Sequence, residues 1–215
     1  MRTFLCVLIP AIASAAAFAQ QLPIGLPIQQ VSPSFPDIES RPTDAQARKL
    51  VEQTYAYFAA KDEGRFADAY SAFSISQKRT VPFDGWKAQL EDFYRKAGSG
   101  QGRKLQKITW YKNPPNTQPG VYAAVDFTGQ FANLSLYCGF VAWRQQMDGS
   151  FELVREEANS IEKSVAEKMT PEMMQRARSQ FRCSRNRWPT SRPSRRPSAS
   201  LVRGAPDRTP IRRVW

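Results

Sequence analysis

Histidine is absent from all 215 residues. That gap removes Ser-His-Asp and Cys-His nucleophile systems and every histidine-based zinc site. Cysteine is scarce as well, with three in the chain (Cys6, Cys138 and Cys183). No loop has the clustered oxygen ligands of an EF-hand. No glycine-rich turn follows a strand and opens a helix, as a phosphate cradle requires. Gly98-Ser99-Gly100-Gln101-Gly102 instead leaves a helical pattern and enters a strand pattern, so it reads as a flexible loop. No cofactor is implied. Beyond residue 19 no apolar run is long enough to cross a bilayer.

The chain does contain an export signal at its start. Arg2 supplies a positive n-region, and Phe4 to Ile12 is apolar apart from Pro10. Ala17-Phe18-Ala19 fits a signal peptidase pocket. The apolar stretch ends at Ala19, short of the roughly 18–20 residues of a membrane anchor. Residues 1–19 are therefore expected to be removed, leaving a periplasmic or secreted protein that begins at Gln20. Cleavage takes Cys6 with it. Cys138 and Cys183 then remain in an oxidising compartment, where one pairing is available. A bridge between them would stabilise by roughly 3–4 kcal/mol through loop-closure entropy. The alternative is a buried free thiol at Cys138 and an unpaired Cys183.

The formal net charge of +12 is not spread evenly. From Arg176 to Trp215 there are twelve arginines, no lysine and one acid, Asp207, which gives +11. Residues 1–175 hold nineteen basic and eighteen acidic residues, which gives +1. Residues 183–215, with runs such as Arg192-Pro193-Ser194-Arg195-Arg196-Pro197-Ser198, show no apolar periodicity and read as a disordered tail. Such a tail could tether the protein to an anionic envelope surface. It could also lack a selected role, because every lysine lies at or before Lys168 and an arginine-only tail is what a shifted reading frame in a GC-rich gene would encode. Export makes nucleic acid an unexpected partner despite the charge.

Between these ends, residues 20–42 carry five prolines and read as an extended linker. Residues 43–182 are long enough to bury one core. Thr43-Asp44-Ala45-Gln46 is a capping box, and Leu50, Val51, Thr54 and Phe58 follow as one apolar stripe ended by Gly64. Phe66, Ala69, Tyr70 and Phe73 predict a second, short helix. Phe83, Trp86, Leu90 and Phe93 predict a third after Val81-Pro82. Strands are predicted at Lys104–Lys112, around Val121–Phe127, from Leu134 to Trp143, and at Phe151–Arg155 after the Met147-Asp148-Gly149 turn. A last helical stretch runs roughly from Ser164 to Ser179. The fold class is α+β, with N-terminal helices packed on an antiparallel meander.

The stretch from Tyr55 to Glu157 resembles the exported bacterial domain-of-unknown-function family 4019. The resemblance rests on Phe58, Asp62-Glu63-Gly64, Phe66-Ala67-Asp68-Ala69-Tyr70, Phe83 to Trp86 and Gly102-Arg103-Lys104-Leu105. It continues through Pro119-Gly120-Val121-Tyr122, Phe127 and Asp148-Gly149-Ser150-Phe151-Glu152-Leu153. It implies a cone-shaped, nuclear-transport-factor-2-like fold, in which helices cover a curved sheet and can enclose a pocket. It implies no activity. Tyr137-Cys138-Gly139-Phe140 departs from the aliphatic strand usual in the family.

In a pocket of that architecture, a carboxylate base beside phenol donors can isomerise or hydrate an apolar molecule. Asp126 with Tyr57, Tyr70, Tyr122 and Tyr137 would line it. Against this, alternation puts Asp126 with Tyr122 and Ala124, opposite Val125 and Phe127, on a face expected to be solvated. Glu156-Glu157 and Asp62-Glu63 likewise read as solvated pairs, the first at a strand end. The leading reading is a non-catalytic module that binds a small molecule or an envelope protein. The alternatives are a pocket enzyme using the carboxylate and tyrosines, and a polyanion or envelope-surface binder acting through the arginine tail.

Overall fold

A computed structural model describes residues 25–181 and the two-residue strand 213–214. The expected signal peptide and nearly all of the arginine-rich tail, Cys183 included, lie outside the described residues.

The first helix, α1 (Asp44–Asp62), starts as the sequence dictates. The Thr43 hydroxyl accepts from the Gln46 amide at 3.3 Å while the Gln46 side chain accepts from the Thr43 amide at 2.7 Å. Leu50, Val51, Thr54 and Phe58 are all buried, and the helix ends at Gly64 with φ of +72°. Next come α2 (Phe66–Ser71), α3 (Ile75–Thr80) and α4 (Phe83–Ala97). The sequence did not announce α3: it has no buried residue and forms because Ser74 caps it, accepting from the Gln77 amide.

The strands are β1 (Ile28–Val31), β2 (Gly100–Lys112), β3 (Val121–Phe131), β4 (Leu134–Gln145), β5 (Phe151–Glu162) and β6 (Arg213–Val214). They lie in chain order in one open, mixed sheet. The β2–β5 meander is antiparallel, while β1 pairs parallel to β2, from Ile28 against Lys107 to Val31 against Trp110. Two short helices, α5 (Lys163–Ala166) and α6 (Pro171–Gln180), follow β5. The expected single stretch is split where Thr170 caps α6 ahead of Pro171.

Three boundaries differ from the expectation. The proline-rich stretch contributes β1, tied down by the Trp110 indole donating to Gln29 at 3.2 Å and by the burial of Phe35. Strand β2 begins at Gly100, so the glycines read as a flexible loop partly pair with β3, Gly100 opposite Phe131. Strand β5 runs to Glu162, so Glu156 and Glu157 sit in mid-strand rather than at its end.

The inner face of the sheet carries Ile108, Trp110, Ala123, Val125, Phe127, Tyr137, Val141, Trp143, Leu153 and Ala158, which form one core with residues of α1, α2 and α4. Neighbouring side chains in each strand point the other way. This outer face carries Lys107, Asp126, Phe140 and Glu157 in one cross-strand row. A second, smaller core there joins Cys138 to Ile161, Ala177 and Phe181.

The departure at Cys138-Gly139 has a steric cause. A Cβ at residue 139 would lie 1.9 Å from the Glu157 carbonyl oxygen and 2.8 Å from the Ala158 Cα. Glycine is what lets β4 approach β5 this closely.

Candidate functional site

The Leu50–Thr54–Phe58 stripe of α1 continues one turn further to Lys61, and Tyr57 flanks it on the same inward side. Both reach the inner face of β5 at Glu156. The Tyr57 hydroxyl donates to Glu156 Oε2 at 2.5 Å and Lys61 Nζ donates to Glu156 Oε1 at 2.7 Å. Only 2% of the Lys61 side chain and 3% of the Glu156 side chain are exposed, so both charges are almost wholly withdrawn from water. Burial pulls the Lys61 ammonium below its ordinary pKa, opposed by the Glu156 carboxylate. Burial and the same carboxylate push the Tyr57 phenol well above its usual range, so it remains a donor. The Lys61 ammonium also lies 5.1 Å from the centre of the Tyr57 ring.

A second polar group adjoins the first. Arg103 on β2 pairs with Asp62 and donates to the Tyr94 hydroxyl at 3.2 Å, and that hydroxyl donates to Asp62 Oδ1 at 2.7 Å. The Arg103 side chain is 2% exposed. Its guanidinium lies 4.7 Å from the Phe58 ring centre, 5.5 Å from Phe131 and 5.8 Å from Tyr137. Its Nε is buried without a hydrogen-bond partner. Desolvation works against its charge, but Tyr137, Tyr94 and Asp62 outweigh it and hold Arg103 above the ordinary arginine value. Burial raises the Tyr94 and Tyr137 phenols. Two cations and two carboxylates thus balance between α1 and the sheet.

The residues singled out from sequence do not converge. Tyr57 and Tyr137 belong to the inner core. Tyr70 packs beside that core among Phe73, Phe83 and Trp86, and its hydroxyl donates to the Val81 carbonyl at 2.8 Å. Tyr122 and Asp126 lie on the opposite side of the sheet, where the Tyr122 hydroxyl donates to the Gln118 carbonyl at 2.8 Å. Asp126 departs from its expected exposure, being only 3% accessible, with Oδ2 unbonded and Lys107 Nζ 3.7 Å away. Glu156 departs in the same way, whereas Glu157 is half-exposed and pairs with Arg155. Sequence reasoning missed Lys61, Glu156, Arg103 and Tyr94. The signal for Lys61 was its place on the α1 stripe; for Glu156 it was hidden by ending β5 too early.

Residues 53–155 match the family described as Protein of unknown function (DUF4019). This segment, just under half of the chain, is similar to the DUF4019 family. The matched span runs from α1 to mid-β5, so it includes Tyr57, Lys61, Arg103 and Asp126 and ends one residue before Glu156. No curated protein and no solved structure matches the chain.

Asp126 gives the domain a pH dependence with a definite sign. Burial pushes its carboxyl up to about 7, opposed by Lys107. The folded state therefore holds a proton that the unfolded chain releases near pH 4, so the contribution of this group to stability is greatest below about pH 4 and is lost as pH rises from about 4 to 7. Urea denaturation across that window should show the decline, and Asp126→Asn should flatten it. An equal slope in the variant would assign the effect to another group.

Proposed function

We propose that this is an exported, non-catalytic module of nuclear-transport-factor-2-like shape that binds a small molecule bearing an acidic group. The observation that carries the non-catalytic reading is the division of the candidate residues between two faces: Asp126 is separated by the sheet from Tyr57 and Tyr137. Glu156 does meet a phenol, but its two oxygens are already committed to Tyr57 and Lys61. Supporting the binding reading, Arg103 keeps one buried donor without a partner in an aromatic surround. A guanidinium in such a setting suits a carboxylate or phosphate. Export is supported by the Arg2, Phe4–Ile12 and Ala17-Phe18-Ala19 pattern.

Native mass spectrometry on protein purified from the envelope of its own host tests both parts. The expected result is a chain beginning at Gln20, carrying a retained molecule that Arg103→Leu loses while remaining folded. A wild-type chain without added mass would sink the binding reading. A chain that keeps residues 1–19 would sink export.

A further inference from the structure

Arg103 and Asp62 are paired but unequally placed. The Arg103 side chain is 2% exposed and enclosed by the rings of Phe58, Phe131 and Tyr137, whereas 31% of the Asp62 side chain faces water. Asp62 is the last residue of α1, where the helix dipole disfavours a carboxylate. Two donors hold it there against that dipole: its Oδ2 accepts from Arg103, and its Oδ1 accepts from the Tyr94 hydroxyl at 2.7 Å. The approach to it is open. Residue 100 is an exposed glycine, and a Cβ at that position would lie 3.8 Å from Asp62 Oδ1 and 3.4 Å from the Phe131 ring.

We propose, on the acidic-ligand reading above, that Asp62 is a built-in placeholder, which occupies the anion position at Arg103 and gives way to the carboxylate of an incoming monocarboxylic acid. The exchange is possible because only one member of the pair is free to leave. Asp62 is already part-hydrated and reaches water by a side-chain rotation, while Arg103 would have to carry its charge out through the rings around it. The group that replaces Asp62 inherits its geometry, with one oxygen toward the Arg103 guanidinium and the other toward the Tyr94 hydroxyl, which suits a planar carboxylate. The buried Arg103 Nε supplies a donor that Asp62 leaves unused. Charge selects a monoanion. With Asp62 turned to water, one incoming negative charge restores the balance of Arg103 and Lys61 against Glu156, whereas a phosphate of nearly two charges leaves an excess in a buried cluster. Phe131, beside the opening at Gly100, gives the acid's apolar body its first contact.

Calorimetric titration of the mature chain with benzoate, and separately with inorganic phosphate, tests this in the wild type and in Asp62→Asn, Gly100→Leu and Arg103→Leu. Asparagine keeps the shape of Asp62 and an acceptor for Tyr94 but gives up the charge that competes with the ligand. Benzoate should bind Asp62→Asn about ten-fold more tightly than the wild type, an ordinary size for coupling between competing groups. It should bind several-fold more weakly to Gly100→Leu, which fills the approach, and not at all to Arg103→Leu. Phosphate should bind more weakly than benzoate to every version. Equal benzoate affinity in the wild type and Asp62→Asn overturns the placeholder and leaves the acidic-ligand reading standing. Phosphate bound as tightly as benzoate overturns the choice of a carboxylate. No binding of either anion by the wild type or by Asp62→Asn brings down the acidic-ligand reading as well. Should Asp62→Asn fail to fold, Gly100→Leu decides, and unchanged benzoate affinity there overturns the proposal.

Discussion

Replacing Glu156 with alanine should destabilise the fold by about 3–5 kcal/mol, the cost of leaving a buried charge without its partner. The change strands the Lys61 ammonium, 2% exposed, and removes the acceptor of the Tyr57 hydroxyl at the same time. The pair need not be a net source of stability. Lys61→Met combined with Glu156→Leu removes both charges, and such replacements of buried pairs are often neutral or stabilising. Urea denaturation should therefore show the double variant recovering most of what the single variant loses. A single variant costing less than ~1 kcal/mol would mean that water reaches Lys61 after all.

Gly139→Ala should be comparably damaging, for a steric reason. Overpacking commonly costs about 1–3 kcal/mol, and here the added carbon meets backbone rather than a side chain that could turn aside. With the Glu157 carbonyl oxygen at 1.9 Å, β4 and β5 would have to separate where Val141 holds Glu156 in register. Losses at the upper end of that range or beyond are expected, together with faster hydrogen exchange at Ala158. Gly85→Ala is the control, since a Cβ there meets nothing within 4 Å. Equal stability of the two variants would refute the close-approach argument.

Much of the fold was legible because local rules and tertiary packing agree. The Thr43–Gln46 box, the α1 stripe, the Gly149 turn and the alternation in β3 all appear where their residues place them. The exceptions share a cause. Strand β1 has no periodicity of its own and is held by its neighbour, with Gln29 accepting from the Trp110 indole. Alternation correctly put Asp126 opposite Val125, but inferring solvent from that assumed that only one face of the sheet is covered. The buried charges were hidden for a related reason. Lys61 and Glu156 lie 95 residues apart, and each looks like an ordinary surface residue until the other is placed beside it.

The place of β1 has a consequence for the order of assembly. Each strand of the β2–β5 meander pairs with its immediate successor, so those pairings close short loops and form early. Ile28 must instead find Lys107 across the helices α1–α4, in the one parallel pairing of named strands among the described residues. Its docking is thus a late event, completed after the meander offers an edge.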